Sequence, residues 1–404
     1  MNTKEHCEGK NMKFSMATRM NAFEESIFSE LAYLKSQKIA KGEEMLDLSV
    51  GSPDLPPPVF VTELLAELSK KPEMYGYSLK GTDEFHLAVS TFYKRNYEVE
   101  LKANSEVLLL MGSQDGLVHF PMILCNPEDY VLVPDPGYTA YETGVNMSGA
   151  KIYPMPLKKE NQFLPDFSEI PQHIAEKAKL MILNFPGNPI PALAHEDFFK
   201  EAIAFAKKHH IVILHDFAYS ELYYEEKPIS FLSIEGAMDV GIEMNSLSKS
   251  FNMAGCRIAY AAGNEELISM LANFKSNTDY GVFLPIQAAA AKALTVETDF
   301  LNELRTVYKN RRDALVNGLK EIGWNISSPK ATMFIWAEVP KAYTSKEFAI
   351  ELINRANVVV TPGSAFGKWG EGFVRIAIVH SEEKLKRAVE QIKSSGILKE
   401  AIFN

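Results

Sequence analysis

A chain of 404 residues, 46% hydrophobic and 23% charged, has the make-up of an ordinary globular protein with one or two full-sized cores. Its net charge of −10, with no basic stripe, argues against a nucleic-acid partner, and three scattered cysteines (Cys7, Cys125, Cys256) suggest neither a disulfide framework nor a zinc site. The polar first twenty residues are no signal peptide and no apolar run reaches the length of a membrane span, so a cytoplasmic protein without metal or membrane contact is expected.

Little order is expected before about Ala22, where Met12 and Met16 are alternative starts. Phe23, Ile27, Leu31 and Leu34 recur at helical spacing and predict a helix over 23–39. A short strand from Leu46 runs into the rigid loop Gly51-Ser52-Pro53-Asp54-Leu55-Pro56, and a helix follows to about Lys70. The loop Tyr75 to Gly81 exposes two aromatics before a helix over 83–97. Short apolar strands then alternate with helices: 107–111, 130–133, 151–155, 180–184, 211–215, 240–245 and 257–262, with a helix over 196–209 among them. This alternation predicts an α/β domain whose seven-stranded, mostly parallel sheet is covered by helices on both faces. The chain is expected to be largely helical from Asn264 to Gly323, including one long connecting helix. Beyond it, strands at 324–327, 333–338, 358–360 and 373–379 and helices at 345–355 and 382–393 predict a smaller α+β domain.

In a parallel sheet, ligand groups gather beyond the carboxyl ends of the strands, and several residues there carry chemistry. Ser246-Leu247-Ser248-Lys249 follows one buried strand, with Arg257 eight positions after the lysine. A lysine whose charge is suppressed can trap a carbonyl, and an arginine grips phosphate, so the stretch describes a pocket for a phosphorylated aldehyde; a polar surface turn is the plain alternative. Gly112-Ser113-Gln114 opens a helix after the first large-domain strand, either as a phosphate cup or as an ordinary capped glycine turn. Tyr138 and Tyr141 follow a proline-fixed loop; an aromatic there stacks on a flat ring or joins the core, and Tyr141 is expected in the core. Asn188 is held between constrained residues, and Asp216, at a buried strand end, needs a cationic partner. That partner is either a protonated pyridine nitrogen or an arginine; His215 faces the other way as a structural residue. Arg375, inside an apolar strand, calls for a substrate carboxylate or an internal acid. Gly51 marks either a close backbone approach or a plain turn.

Taken in this order, Asn188-Pro189, Asp216-Phe217-Ala218-Tyr219, Ser246-Leu247-Ser248-Lys249 through Arg257, and Arg375 resemble the class I/II aminotransferases of the aspartate aminotransferase fold (fold type I), over residues 22 to 395. The branch that is most similar contains LL-diaminopimelate and aspartate aminotransferases. The resemblance implies pyridoxal 5′-phosphate as cofactor, held covalently by Lys249, which also shuttles the proton. It implies that Asp216 keeps the pyridine nitrogen protonated, that Tyr219 and Asn188 bond the ring oxygen, and that Tyr138 stacks on the ring. Gly112, Ser113, Gln114, Ser246 and Arg257 would hold the phosphate; Arg375, with Asn188 and the Gly51 backbone, would clamp the substrate carboxylate. Tyr77, with Tyr75 as rival, would reach the partner's phosphate in a homodimer with shared sites. The implied domains are 1–64 (arm and part of the small domain), 65–300 (large) and 301–404 (small).

The implied reaction moves an amino group between an L-amino acid and a 2-oxo acid such as 2-oxoglutarate by a ping-pong route, with a C–S β-lyase of the same fold, or ring closure, as the alternative. A regulator carrying this fold would need a DNA-binding domain, for which only about twenty residues precede the first predicted helix. The chain departs from the family pattern at Ile190-Pro191 and Ala331, and in the short Tyr77–Gly81 spacing. No arginine stands within 276–287 to meet a second carboxylate, which favours a broad or different donor.

Overall fold

The computed structural model describes residues 14–23 and 27–399; Cys7, Met12 and the rest of 1–13 lie outside them. Thr18–Ala22 forms a short 3-10 turn in the stretch where no order was expected. The first long helix, α1 (Ile27–Ala40), starts later than its apolar spacing suggested, and Phe23 lies outside it, partly exposed. Strand β1 (Leu46–Asp47) and helices α2 (Val59–Leu68) and α3 (Asp83–Tyr97) follow. Thr82 caps α3 by accepting from the Phe85 amide, and Asp83 and Glu84 favour its positive end.

Seven strands then build the large sheet: β2 (Val107–Leu110), β3 (Tyr130–Asp135), β4 (Lys151–Pro156), β5 (Ala178–Leu183), β6 (Val212–Asp216), β7 (Gly241–Ser246) and β8 (Ala259–Gly263). Their order is β2-β8-β7-β6-β5-β3-β4; β8 runs antiparallel to both neighbours and the other pairings are parallel. The last of these strands begins at Ala259 rather than Arg257 because Arg257 adopts a left-handed conformation, φ +51°, that no strand accommodates. Alternation along β2 sends Val107 and Leu109 to one core and Leu108 and Leu110 to another, so helices cover both faces. Helices α4 (Ser113–Leu124), α5 (Thr139–Ser148) and α7 (Glu265–Ser276) lie on the second face. On the first lie α3, α6 (Glu196–His209) and α8 (Leu284–Thr295).

The 22-residue helix α9 (Phe300–Glu321) leads into a separate core. There β9 (Phe334–Glu338), β11 (Thr361–Pro362) and β12 (Phe373–Ala377) form an antiparallel sheet, while β10 (Val358–Val359) pairs with β1 instead. Helices α10 (Ser345–Glu351) and α11 (Glu382–Ser395) complete it, with a π-helical turn over Leu352–Ala356 where the α-helix was expected to continue. The strand expected at 324–327 does not form: Trp324 is buried as a side chain, its indole donating to the Glu338 carbonyl at 2.8 Å, and the backbone joins no ladder. Leu31, Leu46 and Leu48 from the front of the chain pack in this same core.

Beneath the large sheet, Glu243 is fully buried and accepts from Tyr93 (2.7 Å), Ser230 (2.9 Å) and the Phe231 amide (2.9 Å), and pairs with His215 (2.8 Å). His215 therefore has the structural place expected of it, on the face opposite Asp216. Replacing Glu243 by alanine leaves four polar groups buried without their partner, at a cost of about 3–5 kcal/mol. The denaturant midpoint of Glu243→Ala is expected to fall accordingly, and an unchanged midpoint would refute this account.

Candidate active site

Beyond the carboxyl ends of β5, β6 and β7 lies a cavity of about 340 Å³, lined among others by Tyr138, Asn188, Asp216, Tyr219, Lys249 and Arg375. Lys249 stands on the single turn Leu247–Ser250 that follows β7, and its amine donates to the Gly51 carbonyl at 2.8 Å. Burial, with the charges of Arg375 and Arg257, brings its pKa down from 10.5 to about 8. The plain alternative, an exposed surface turn, is excluded by this burial.

Asp216 ends β6, deeply buried. Its carboxylate accepts from the Tyr141 hydroxyl at 2.8 Å and from the Ala218 amide at 3.3 Å, and burial raises its pKa. No arginine or lysine pairs with it among the described residues, so the internal-arginine alternative falls. Tyr141 lies in the core, as expected, but it also holds the carboxylate, a role its neighbours in sequence did not reveal. Asn184 is a second residue that sequence reasoning missed. Its side-chain amide donates to the Asp216 carbonyl (2.8 Å), and its oxygen accepts from the Asn188 amide (2.9 Å), fixing the loop that carries Asn188. The Phe185–Pro186 and Asn188–Pro189 bonds of that loop are cis.

Arg375 enters from β12. It donates to Asn188 Oδ1 (2.7 Å) and to the Ser49 carbonyl (2.5 Å), while its plane lies over Phe334 and Phe366, 4.4 and 4.7 Å from the ring centres. Among the described residues no acid meets it and its buried Nε has no partner, and burial lowers its pKa to about 10. Ser49, Phe334 and Phe366 were invisible as site residues, because only the meeting of distant segments gives them this position. Tyr219 also lines the cavity, its ring edge toward Phe334.

Gly112, Ser113, Gln114 and Arg257 come together beside Tyr138. Gly112 has φ +84°, and a Cβ there would stand 2.3 Å from Arg257 Nη2, so only glycine lets the guanidinium close over the start of α4. Ser113 opens that helix with its free amides, and Gln114 accepts from the Tyr138 hydroxyl at 3.0 Å. Ser246 accepts from the Ser248 amide (3.1 Å), and the two hydroxyls bond at 2.9 Å. Tyr77 is not brought here; it is 85% exposed and packs on Tyr280. Tyr75 is also outside the cavity, with its hydroxyl donated to the Ser69 carbonyl at 2.8 Å.

A depressed lysine, an acid that meets no cation among the described residues, a glycine-relieved anion cup and a buried guanidinium with an unpartnered Nε fit a phosphorylated heteroaromatic aldehyde and a carboxylate. Among the described residues no group of acids, histidines or cysteines could hold a metal ion, and no helix is long and apolar enough to cross a membrane.

Residues 43–392 match the family profile "Aminotransferase class I and II". An LL-diaminopimelate aminotransferase of Halothermothrix orenii is 42% identical over 383 residues, covering 94% of this chain and 98% of that protein. The L-glutamine–4-(methylsulfanyl)-2-oxobutanoate aminotransferase of Bacillus subtilis is 40% identical, with 94% of this chain and 96% of that protein covered. The solved structure of substrate-bound BacF from Bacillus subtilis is similar with a TM-score of 0.91 at 39% identity, over 95% of this chain and 98% of that one. The chain belongs to the class I and II aminotransferases, the pyridoxal-phosphate-dependent transaminases of amino-acid metabolism.

Proposed function

We propose that this transaminase binds pyridoxal 5′-phosphate through Lys249 and moves the amino group between an L-amino acid, LL-diaminopimelate foremost, and a 2-oxo acid such as 2-oxoglutarate. The observation that carries the site assignment is a pair of buried charges, Asp216 and Arg375, that meet no counter-ion among the described residues and line one cavity with Lys249. The donor assignment is supported by the similarity to LL-diaminopimelate aminotransferases.

When bound, the cofactor supplies a carbonyl that takes up the amino group and a ring that delocalises the electrons left by loss of the α-proton. Asp216, kept in place by Tyr141 and Ala218, is the residue that would face the ring nitrogen and keep it protonated. Tyr138 would stack on the ring, and Asn188 and Tyr219 would bond its oxygen. Gly112, Ser113, Gln114, Ser246 and Arg257 would hold the phosphate. Arg375 binds the substrate α-carboxylate, aided by Asn188 and Gly51, and thereby orients the α-hydrogen toward Lys249. Near neutrality, an amine with pKa about 8 can accept that proton and return it. Arg375 is the only arginine among the described residues lining the cavity, so the distal end of the donor meets hydroxyls such as Ser49 and Thr139. The working unit in this reading is a homodimer in which Tyr77, whose hydroxyl makes no hydrogen bond among the described residues, reaches the partner's phosphate.

An absorption scan of the cofactor-loaded protein against single amino acids tests the reading. LL-diaminopimelate should bleach the carbonyl-form band and 2-oxoglutarate should restore it. Release of ammonia and pyruvate from a cysteine conjugate, without such cycling, would instead favour the lyase. Lys249→Ala is expected to lose the band and nearly all turnover; retained transamination would overturn the role given to Lys249. Arg375→Ala is expected to raise KM for the amino acid about 100-fold, the ~3 kcal/mol of a lost buried charge pair. The pH midpoint for Lys249 reacting with the cofactor should lie near 8, with reaction faster above it because the neutral amine is the nucleophile. Since the Arg375 cation helps depress Lys249, that midpoint should move up in Arg375→Ala, and a stationary one would count against the coupling.

A further inference from the structure

Lys275, in the last turn of α7, is buried although it makes no contact with the cavity. Its amine donates to both oxygens of Asp279 (2.6 and 2.7 Å) and stands 3.6 Å from Asp115 Oδ2. Each acid is in turn committed to one piece of backbone. Asp115 lies in the first turn of α4, accepts from the Met111 amide at 3.1 Å and pairs with His119 at 2.8 Å, so it braces the Met111–Gly112–Ser113 turn. Burial works to raise its pKa, but the His119 bond and the Lys275 charge bring the net shift below the usual carboxylate value. Asp279 accepts from the Gly281 amide at 2.7 Å. Gly281, at φ +89°, lies so close to Ser78 that a Cβ would stand 1.9 Å from the Ser78 carbonyl oxygen, and Ser78 donates to the Tyr280 carbonyl at 3.3 Å. Tyr77 packs on Tyr280 with ring centres 5.1 Å apart. Gln287 adds a second tie, accepting from the Thr82 amide at 2.9 Å.

A buried charge cluster of this kind is seldom the cheapest source of stability, since well-packed apolar residues often do as well. What it supplies is geometry, and here the geometry runs to the turn that opens α4 and to the exposed Tyr77 loop. We propose that Lys275 is a positioning residue that holds the phosphate-binding turn through Asp115 and couples it, through Asp279, to the exposed Tyr77 loop. This rests on the reading of Gly112–Gln114 as a phosphate cup.

The test compares pyridoxal phosphate with phosphate-free pyridoxal, each titrated into the full-length protein stripped of cofactor. In Lys275→Met the affinity for pyridoxal phosphate is expected to fall about tenfold, the loss typical of an outer residue that orients a binding group. Pyridoxal affinity should stay unchanged, so the advantage conferred by the phosphate shrinks. A merely structural role would weaken both ligands equally, and that result, or full retention of the phosphate advantage, overturns the proposal. A wild-type protein with no phosphate advantage would overturn the cofactor reading itself, and with it this role. Asp115→Asn keeps an oxygen for Met111 but drops the charge facing Lys275; it should show the same phosphate-selective loss, and it decides the matter if Lys275→Met does not fold. Hydrogen exchange over residues 76–82 should quicken in Lys275→Met, and unchanged exchange would refute the coupling.

Discussion

Two buried charges that meet no counter-ion among the described residues constrain the rest of this molecule. Among the described residues the Asp216 carboxylate meets a phenol and an amide, and Arg375 meets an amide oxygen, a carbonyl, the Thr361 hydroxyl and two aromatic faces. Each arrangement costs desolvation that neutral dipoles only partly offset. The surrounding structure must therefore be rigid enough to keep water and stray counter-ions from relaxing the site. That rigidity comes from a large sheet whose both faces are packed and from a second core carrying its own antiparallel sheet.

The two cores meet through a few bonds made by segments far apart in the chain. Asn188, in the loop after β5, reaches Arg375 on β12, and the Ser49 carbonyl reaches the same guanidinium. The next turn brings the Gly51 carbonyl to Lys249, and Asp54 forms a bidentate pair with Arg311 of α9 at 2.7 and 2.8 Å. Residues 49–54 thus act as a strap between the cores, and the lysine and the arginine are registered against each other through its backbone. A backbone strap carries this register without adding a charged side chain to the cavity.

Membership in the aminotransferase family establishes the class of chemistry, while the choice of donor rests on finer features. Two relatives of nearly equal similarity to this chain are named for different substrates. A few side chains at the cavity wall suffice for such a difference, because a single methylene or hydroxyl changes selectivity by about 1–3 kcal/mol. Phe334, Phe366 and Thr139 belong to that wall and come from three separate segments.

Local pattern was enough to read the seven large-sheet strands, α3 and α6 to within a few residues, because apolar runs bounded by turn residues and capped helices are written in neighbouring positions. Lys249, Asp216 and Arg375 were legible for a related reason: each is a charged residue just beyond, at the end of, or inside an apolar strand, where an unmatched charge demands an explanation; Asn188 stood out because constrained residues flank it in its loop. Trp324 was misread because an apolar residue after a helix looks like a strand, whereas whether its backbone finds a ladder partner depends on chain elsewhere. The pairing of β1 with β10, the bond from Tyr141 to Asp216 and the Lys275 cluster were equally beyond local reading. Sequence by itself determined which residues must be buried and which of those would be unsatisfied there. Only tertiary structure decided who satisfies them, since hydrogen-bond partners and charge neighbours are matters of distance in space, and short-range periodicity carries no record of it.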